Sequence, residues 1–321
     1  MKVSSIQGTD NLHAIIELFQ LSLGEEGGLP EVSFWRWKHF ENPFGVSPTH
    51  AAWDGDLLVG LRTFLCWRFA CGSKTILAYR AVDTATHPDY RGRKLFTTLT
   101  RGLVEQLMAG PPAFVFNTPN HLSKSGYMKM GWQEWGIPRL AVRFFPTYFL
   151  TNRLGSPRWP TQSAEWSDQI SDAWVQLAPT VEHQFADVFI TDYSADYFRW
   201  RYFRQPKLNY QYWLDSVVNP NVLVFFRLKV SKGLYELRIT DAFFRNRQAF
   251  TRMLKVLAKK FHPDVITYLA DDGAVFPVPF GFVTLQKGLL VTFRELNEPR
   301  LTEEIMRHRK IYFSAGTLEL F

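Results

Sequence analysis

An internal repeat constrains this chain more than any single motif does. The segment Phe34-Trp35-Arg36-Trp37-Lys38-His39-Phe40-Glu41-Asn42-Pro43 returns as Tyr197-Phe198-Arg199-Trp200-Arg201-Tyr202-Phe203-Arg204-Gln205-Pro206, matching at aromatic, aromatic, Arg, Trp, base, Phe and Pro. A second pair follows in the same order. Gly131-Trp132 precedes an apolar strand, and Gly281-Phe282 precedes Leu289-Leu290-Val291-Thr292-Phe293. Trp37 lies 94 residues before Gly131, and Trp200 lies 81 before Gly281. A domain-sized unit therefore occurs twice, and 321 residues suffice for two domains of about 150 each. Gly155, Pro157 and Pro160 break the periodicity between the copies. The expected division is a first domain at 1–146, a linker at 147–163, a second domain at 164–297 and a tail at 298–321.

Within the first copy, Leu12, Ile15, Ile16 and Phe19 recur at helical spacing behind Asp10, and an aromatic helix surrounds Trp35. Asp54-Gly55 is a hairpin turn between strands at Ala51–Trp53 and Leu57–Leu65. Cys71-Gly72-Ser73 turns into a strand from Ile76 to Thr86. Leu95, Leu99, Leu103 and Leu107 mark a helix stopped by Gly110-Pro111-Pro112. A strand at Phe114–Phe116, a helix from His121 to Met130 and a strand within Trp135–Phe145 complete an α+β unit.

Composition excludes some classes and leaves others open. Hydrophobic residues at 46% fit packed cores and exclude a disordered chain. Trp35 and Trp37 suit sugar stacking, but their counterparts Phe198 and Trp200 point to a shared packing role. Two cysteines, Cys66 and Cys71, give no disulfide framework, and no His or acid cluster at ligand spacing implies a metal. No export-type or membrane-spanning apolar run occurs, so a cytoplasmic protein without a membrane partner is expected. The net charge of +7 suits a polyanionic cofactor as well as it suits nucleic acid.

Three features of the first copy carry chemistry. His87-Pro88-Asp89-Tyr90-Arg91-Gly92-Arg93-Lys94-Leu95-Phe96 joins a strand to the start of the Leu-striped helix. The unpaired N–H groups of a helix start, with Arg91, Arg93 and Lys94 beside them, make an anion site suited to a pyrophosphate. Asn120, Ser123 and Tyr127 fall three and four apart, which suits a polar, chain-like ligand along one helix face. Asp83 stands among apolar neighbours in Ala81-Val82-Asp83-Thr84-Ala85. A carboxylate there is either paired structurally or poised in a site.

These residues resemble the GNAT superfamily of N-acetyltransferases. Arg91 opens the acyl-CoA loop pattern Arg/Gln-x-x-Gly-x-Gly/Ala, while Lys94 and Phe96 replace its small residues. Asn120, Ser123, Tyr127 and Gly131-Trp132 match the pattern of the later helix in full. The resemblance implies two GNAT-like units, each a mixed, mostly antiparallel sheet flanked by helices. It also implies acetyl-CoA or another acyl-CoA, held by Thr84, Ala85, Thr86, Arg91, Gly92, Arg93, Lys94, Leu95, Phe96, Asn120 and Ser123. The acceptor would be a small-molecule or peptide amine. A phenol carries its proton at neutral pH, so Tyr127 becomes the acid for the leaving thiolate and Asp83 the base, with Glu25 and Glu26 as alternatives. The second copy has Pro277 at the Tyr position and no glycine from Asp241 to Arg247, which makes it a degenerate unit. Two other readings stay open: a transferase taking aminoacyl groups from tRNA, and an inactive CoA-binding module. The intact helix motif argues against nucleic acid as partner.

Overall fold

Hairpin signals and the apolar alternation around them set the first sheet. The computed structural model describes residues 1–6, 8–23, 31–157, 159–270, 275–286 and 288–318. In chain order the first half runs β1 (Lys2–Ser5), α1 (Leu12–Leu23), α2 (Val32–His39), β2 (Thr49–Asp54), β3 (Leu57–Cys71) and β4 (Lys74–Thr86). It continues with α3 (Leu95–Met108), β5 (Ala113–Asn117), α4 (His121–Lys129), β6 (Gln133–Gly136) and β7 (Arg139–Phe144). The second half has α5 (Pro146–Leu154), α6 (Asp168–Gln184), β8 (Ile190–Thr191), α7 (Ala195–Phe198), β9 (Tyr210–Leu214), β10 (Val222–Ser231) and β11 (Leu234–Phe244). Then come α8 (Arg247–Phe261), β12 (Val265–Ala270), β13 (Val283–Leu285), β14 (Val291–Glu295), α9 (Pro299–His308) and α10 (Ala315–Leu318).

The Asp54-Gly55 hairpin forms, with Gly55 at φ 59° and Asp54 opposite Leu57. A register shift between Ala52 and Trp53 changes the side-chain parity of β3, so that Leu58 and Leu61 both face α1 and α2. There they bury Leu12, Ile15, Phe19 and Trp35. On the opposite face, Leu103, Val104 and Leu107 of α3 pack with Met130 and Trp132 against Phe64, Ala113 and Val115. All four leucines of the α3 stripe are buried, each contributing about 1.5–3 kcal/mol through the apolar area withdrawn from water. Strand β1 pairs with β2. Its sequence Lys2-Val3-Ser4-Ser5 carries no alternation that announces it.

The main path of the first sheet is β1-β2-β3-β4-β5-β14-β6, and the second sheet runs β13-β7-β12-β11-β10-β9. In each, one parallel pair is joined by a helical crossover, β4–α3–β5 and β11–α8–β12. The strand expected to close the first copy divides. β6 remains in the first sheet, whereas β7 pairs with β12 and β13. Conversely, β14 lies between β5 and β6. Gly136 at φ 142° and Pro138, which has no N–H for a ladder, separate β6 from β7.

One unit therefore comprises Met1–Phe69, Thr75–Gly136 and Leu290–Arg309; the other comprises Ala70–Lys74, Ile137–Leu289 and Lys310–Phe321. Residues 147–163, expected as a linker, fold into the second unit. There the Asn152 amide of α5 donates to His262 O at 2.9 Å and to Asp264 Oδ1 at 2.8 Å. Residues 298–321 divide, α9 lying in the first unit and α10 in the second. No helix among the described residues is long and apolar enough to cross a membrane.

Candidate active site

The parallel ladder between β4 and β5 runs only from Leu77–Ala113 to Arg80–Phe116, while β4 continues to Thr86. The strands part there, and the Ala81–Thr86 edge opens toward the gap. Thr84 Oγ1 donates to Leu61 O at 3.3 Å, Ser22 Oγ donates to Thr86 O at 3.0 Å, and Ala85 is buried. A carbonyl accepts two hydrogen bonds, so Thr86 O retains one lone pair for a ligand.

At the end of that strand, His87 Nδ1 accepts from Asp89 N, and a 3-10 turn at Pro88–Tyr90 leads into the basic loop. Arg91 Nη2 donates to Ser22 O at 3.0 Å, and Arg93 lies over the Tyr90 ring at 4.4 Å. Gly92 has φ 78°, with nothing near a Cβ placed there. Helix α3 starts at Leu95 without a side-chain cap, so its first amide N–H groups are left to solvent or to an anion.

Lys94 occupies the left-handed region at φ 61°, where a β-carbon costs about 1–2 kcal/mol. A glycine there would be unstrained, which is why Lys94 is tolerated rather than favoured by the backbone. Lys94→Gly is expected to raise stability in urea unfolding by about 0.5–1 kcal/mol while weakening anion binding at the loop. Loss of stability in that variant would show that the lysine side chain supports the fold. Phe96 turns away from the loop. Its ring meets Tyr127 edge-on at 5.3 Å between centroids, and a Cβ at Gly126 would come within 3.2 Å of it. The bulk at position 96 is thus matched by the absence of a side chain on α4.

Asn120 is the N-cap of α4, accepting from Leu122 N at 3.1 Å, Ser123 N at 2.9 Å and Ser123 Oγ at 3.0 Å. Asn120 and Ser123 are therefore brought together as a helix cap, and Tyr127 points elsewhere. Tyr127 is buried, and its hydroxyl accepts from Arg62 Nη2 at 2.5 Å. Arg62, 1% exposed on β3, also donates to Val82 O at 3.1 Å and lies over the rings of Phe64, Phe96 and Tyr127. Its Nε has no hydrogen-bond partner. A guanidinium offers donors only, so the phenol oxygen must accept and its own hydrogen is free for another acceptor. The sequence reading passed over Arg62, although a charged residue inside Leu57–Leu65 is the same signal that singled out Asp83.

Asp83 lies within β4 at φ 37°. Its Oδ2 meets Lys38 Nζ at 2.7 Å and His39 Nε2 at 2.8 Å. Burial pushes the carboxyl up, but the ammonium and the imidazole outweigh it and hold Asp83 below the usual carboxylate range. Burial also pushes His39 down, toward its neutral form. The expected base is therefore an anion already committed to two partners, with little tendency to take a proton. Glu25 and Glu26 lie outside the described residues.

The second unit contains a counterpart of this cluster. Arg201 and Tyr202 occupy the repeat positions of Lys38 and His39, and the Tyr202 hydroxyl donates to Asp241 of β11. Tyr193 and Tyr197 also donate to Asp241, at 2.8 and 3.2 Å. Burial here prevails and pushes Asp241 up. Residues 315–318 are buried, and a Cβ at Gly316 would collide with the Asp241 carboxylate, so this space is filled by the chain itself. Helix α8 is capped by Asn246, whose side chain accepts from Ala249 N at 2.9 Å. Pro277 O accepts from Tyr268 Oη at 2.5 Å. The second unit thus has a capped helix start, a filled gap and no phenol at the matching position.

Residues 3–135 match the family described as acetyltransferase (GNAT) domain. No curated protein sequence matches this one. Among solved structures, a GCN5-related N-acetyltransferase from Anabaena variabilis is similar at TM-score 0.63 and 12% identity, over 92% of this chain and 73% of that one. A probable N-acyltransferase from Enterococcus faecalis gives TM-score 0.62 at 10% identity, covering 92% and 73%. Eis1 from Mycobacterium abscessus gives 0.59 at 12%, covering 92% and 74%. At these identities the structures speak for the fold.

Proposed function

We propose that this chain, whose residues 3–135 match an acetyltransferase (GNAT) domain, is an acyltransferase that moves an acetyl group from acetyl-CoA to an amine of a small molecule or peptide. The uncapped start of α3 beside Arg91, Arg93 and Lys94, at the mouth of the gap between β4 and β5, carries this reading. The residues fit the cofactor. The N–H groups of Leu95 and Phe96, with the loop cations, would hold a pyrophosphate, and the open edge at Thr84–Thr86 would pair with an extended amide chain. Asn120 and Ser123 would shape the site through the start of α4 rather than through free polar atoms. Acetyl-CoA supplies an activated acyl group and a thiolate leaving group. Tyr127 holds the proton that the thiolate needs, and Arg62 fixes the orientation of that hydroxyl. Asp83 positions α2 against β4 through Lys38 and His39.

Calorimetry with acetyl-CoA is expected to show one site per chain. Arg91→Glu or Arg93→Glu should weaken binding about tenfold or more, the usual effect of losing a charge-assisted contact. Arg245→Glu in the second unit should leave affinity unchanged. Absence of binding at millimolar concentration, or two sites per chain, would overturn the proposal. The second reading, a CoA-binding module without turnover, draws on the Phe96 ring lying against Tyr127. It is separated from the first by the turnover of the Tyr127 variant.

A further inference from the structure

The first unit also contains a cavity that this chemistry does not use. It measures about 410 Å³, is open to solvent on one side and is lined by the later turns of α3, the end of α4 and β14. That volume lies within the ordinary range for small-molecule pockets. Three cations border it, Arg101, Lys129 and Arg294, against one acid, Glu105. Arg101 and Lys129 have no ion-pair partner among the described residues, and Arg294 has Glu295 beside it on β14, close enough to act on its charge. Three buried donor groups in its wall have no hydrogen-bond partner: Trp132 Nε1, Thr100 Oγ1 and Arg294 Nε. Trp132 is 3% exposed and Thr100 fully buried. Orphaned buried donors each cost stability; these lie behind the wall and are closed to water, so what the cavity itself presents is the charge of the three cations.

The packing holds Arg294 in this position. Its guanidinium lies 5.3 Å from the Trp132 ring centre. A Cβ at residue 131 would collide with Arg294 Nη1, so Gly131, at φ 89°, is what leaves room for it. Arg294 arrives only because β14 pairs with β5 and β6, so the site is a product of the strand exchange. We infer that this cavity binds a phosphate monoester of a small metabolite, with Arg294, Arg101 and Lys129 supplying the charge. A planar guanidinium fork matches phosphate oxygens, and the remaining volume takes the uncharged part of the molecule.

The test titrates the full-length chain with inorganic phosphate and with a hexose monophosphate, using the free hexose as control. Binding of the monophosphate is expected, with none of the hexose. Arg294→Met, Arg101→Gln and Lys129→Gln should each lower affinity about tenfold. Arg101 is exposed, so its variant should fold even if Arg294→Met does not. Binding should survive Arg91→Glu, which disables the loop at the start of α3, and should not be displaced by CoA. The outcome is thereby independent of the acyl-CoA reading. The inference fails if no phosphate species binds at about 10 mM, if binding is lost only in Arg91→Glu, or if Arg101→Gln and Lys129→Gln both leave affinity unchanged.

Discussion

Tyr127→Phe is expected to lower kcat about 10²–10⁴-fold, the usual contribution of a positioned general acid, while acetyl-CoA affinity hardly changes. The substitution keeps the ring, which packs against Phe96 and Trp132, and removes the one hydroxyl that meets Arg62. The loss belongs in kcat because the proton is needed only as the thiolate leaves. A cost in stability accompanies it. Arg62 Nη2 loses its acceptor beside an Nε that already has none; an unsatisfied buried donor costs about 1–3 kcal/mol, and more when it is charged. Rates must therefore be compared well below the unfolding transition, by single turnover once an acceptor is in hand. If the hydroxyl only supports the fold, the variant will unfold more easily and turn over normally. A rate within about threefold of wild type, far short of an acid-catalysis effect, would remove Tyr127 from the mechanism.

The pattern of the sequence reached the architecture further than it reached the site. The aromatic helix at Val32–His39, the Asp54-Gly55 hairpin and the Leu95–Leu107 stripe are local signals, and each formed where its spacing places it. In the repeated segment, by contrast, only Ala195–Phe198 is α-helical and Arg199–Phe203 continues as a π-helix. Strand partnership is a different kind of information. Residues 139–144 and 291–295 both read as closing strands, and nothing within either segment says which sheet it joins. At the site, Arg62 and Tyr127 are 65 residues apart, so no spacing rule links them. Asn120 illustrates the opposite limit. The residue type that suits ligand binding is also a favoured helix cap, and only the hydrogen bonds to Leu122, Ser123 N and Ser123 Oγ distinguish the two uses. Asp83 and Asp241 show what the repeat adds: each carboxylate sits against the residues that follow the same repeated Trp, in a unit with an open gap and in one without. A contact kept in both is more simply explained by the fold than by the reaction.

Asp83→Asn tests that explanation. The substitution leaves the Lys38 ammonium, 4% exposed, without the carboxylate that offsets its burial. Breaking a buried pair from one side typically costs about 3–5 kcal/mol, a large share of the about 5–15 kcal/mol that holds a domain together. Adding Lys38→Met removes the stranded charge, and the double variant should recover most of the loss, a coupling that a double-mutant cycle measures directly. The pH dependence follows from the same cluster. Asp83 is held below its unfolded value, so its contribution is present above about pH 4 and lost as pH falls through the folded value. His39, also held low by burial, resists protonation in the folded state, so stability already declines below about pH 6.5. Both effects weaken the wild type in acid, and in Asp83→Asn the contribution of the carboxylate disappears. If Asp83 were instead the catalytic base, the single variant would keep its unfolding midpoint and lose about 10²–10⁴ in kcat. Equal stability of Asp83→Asn and wild type, measured by urea unfolding at neutral pH, would return Asp83 to the reaction.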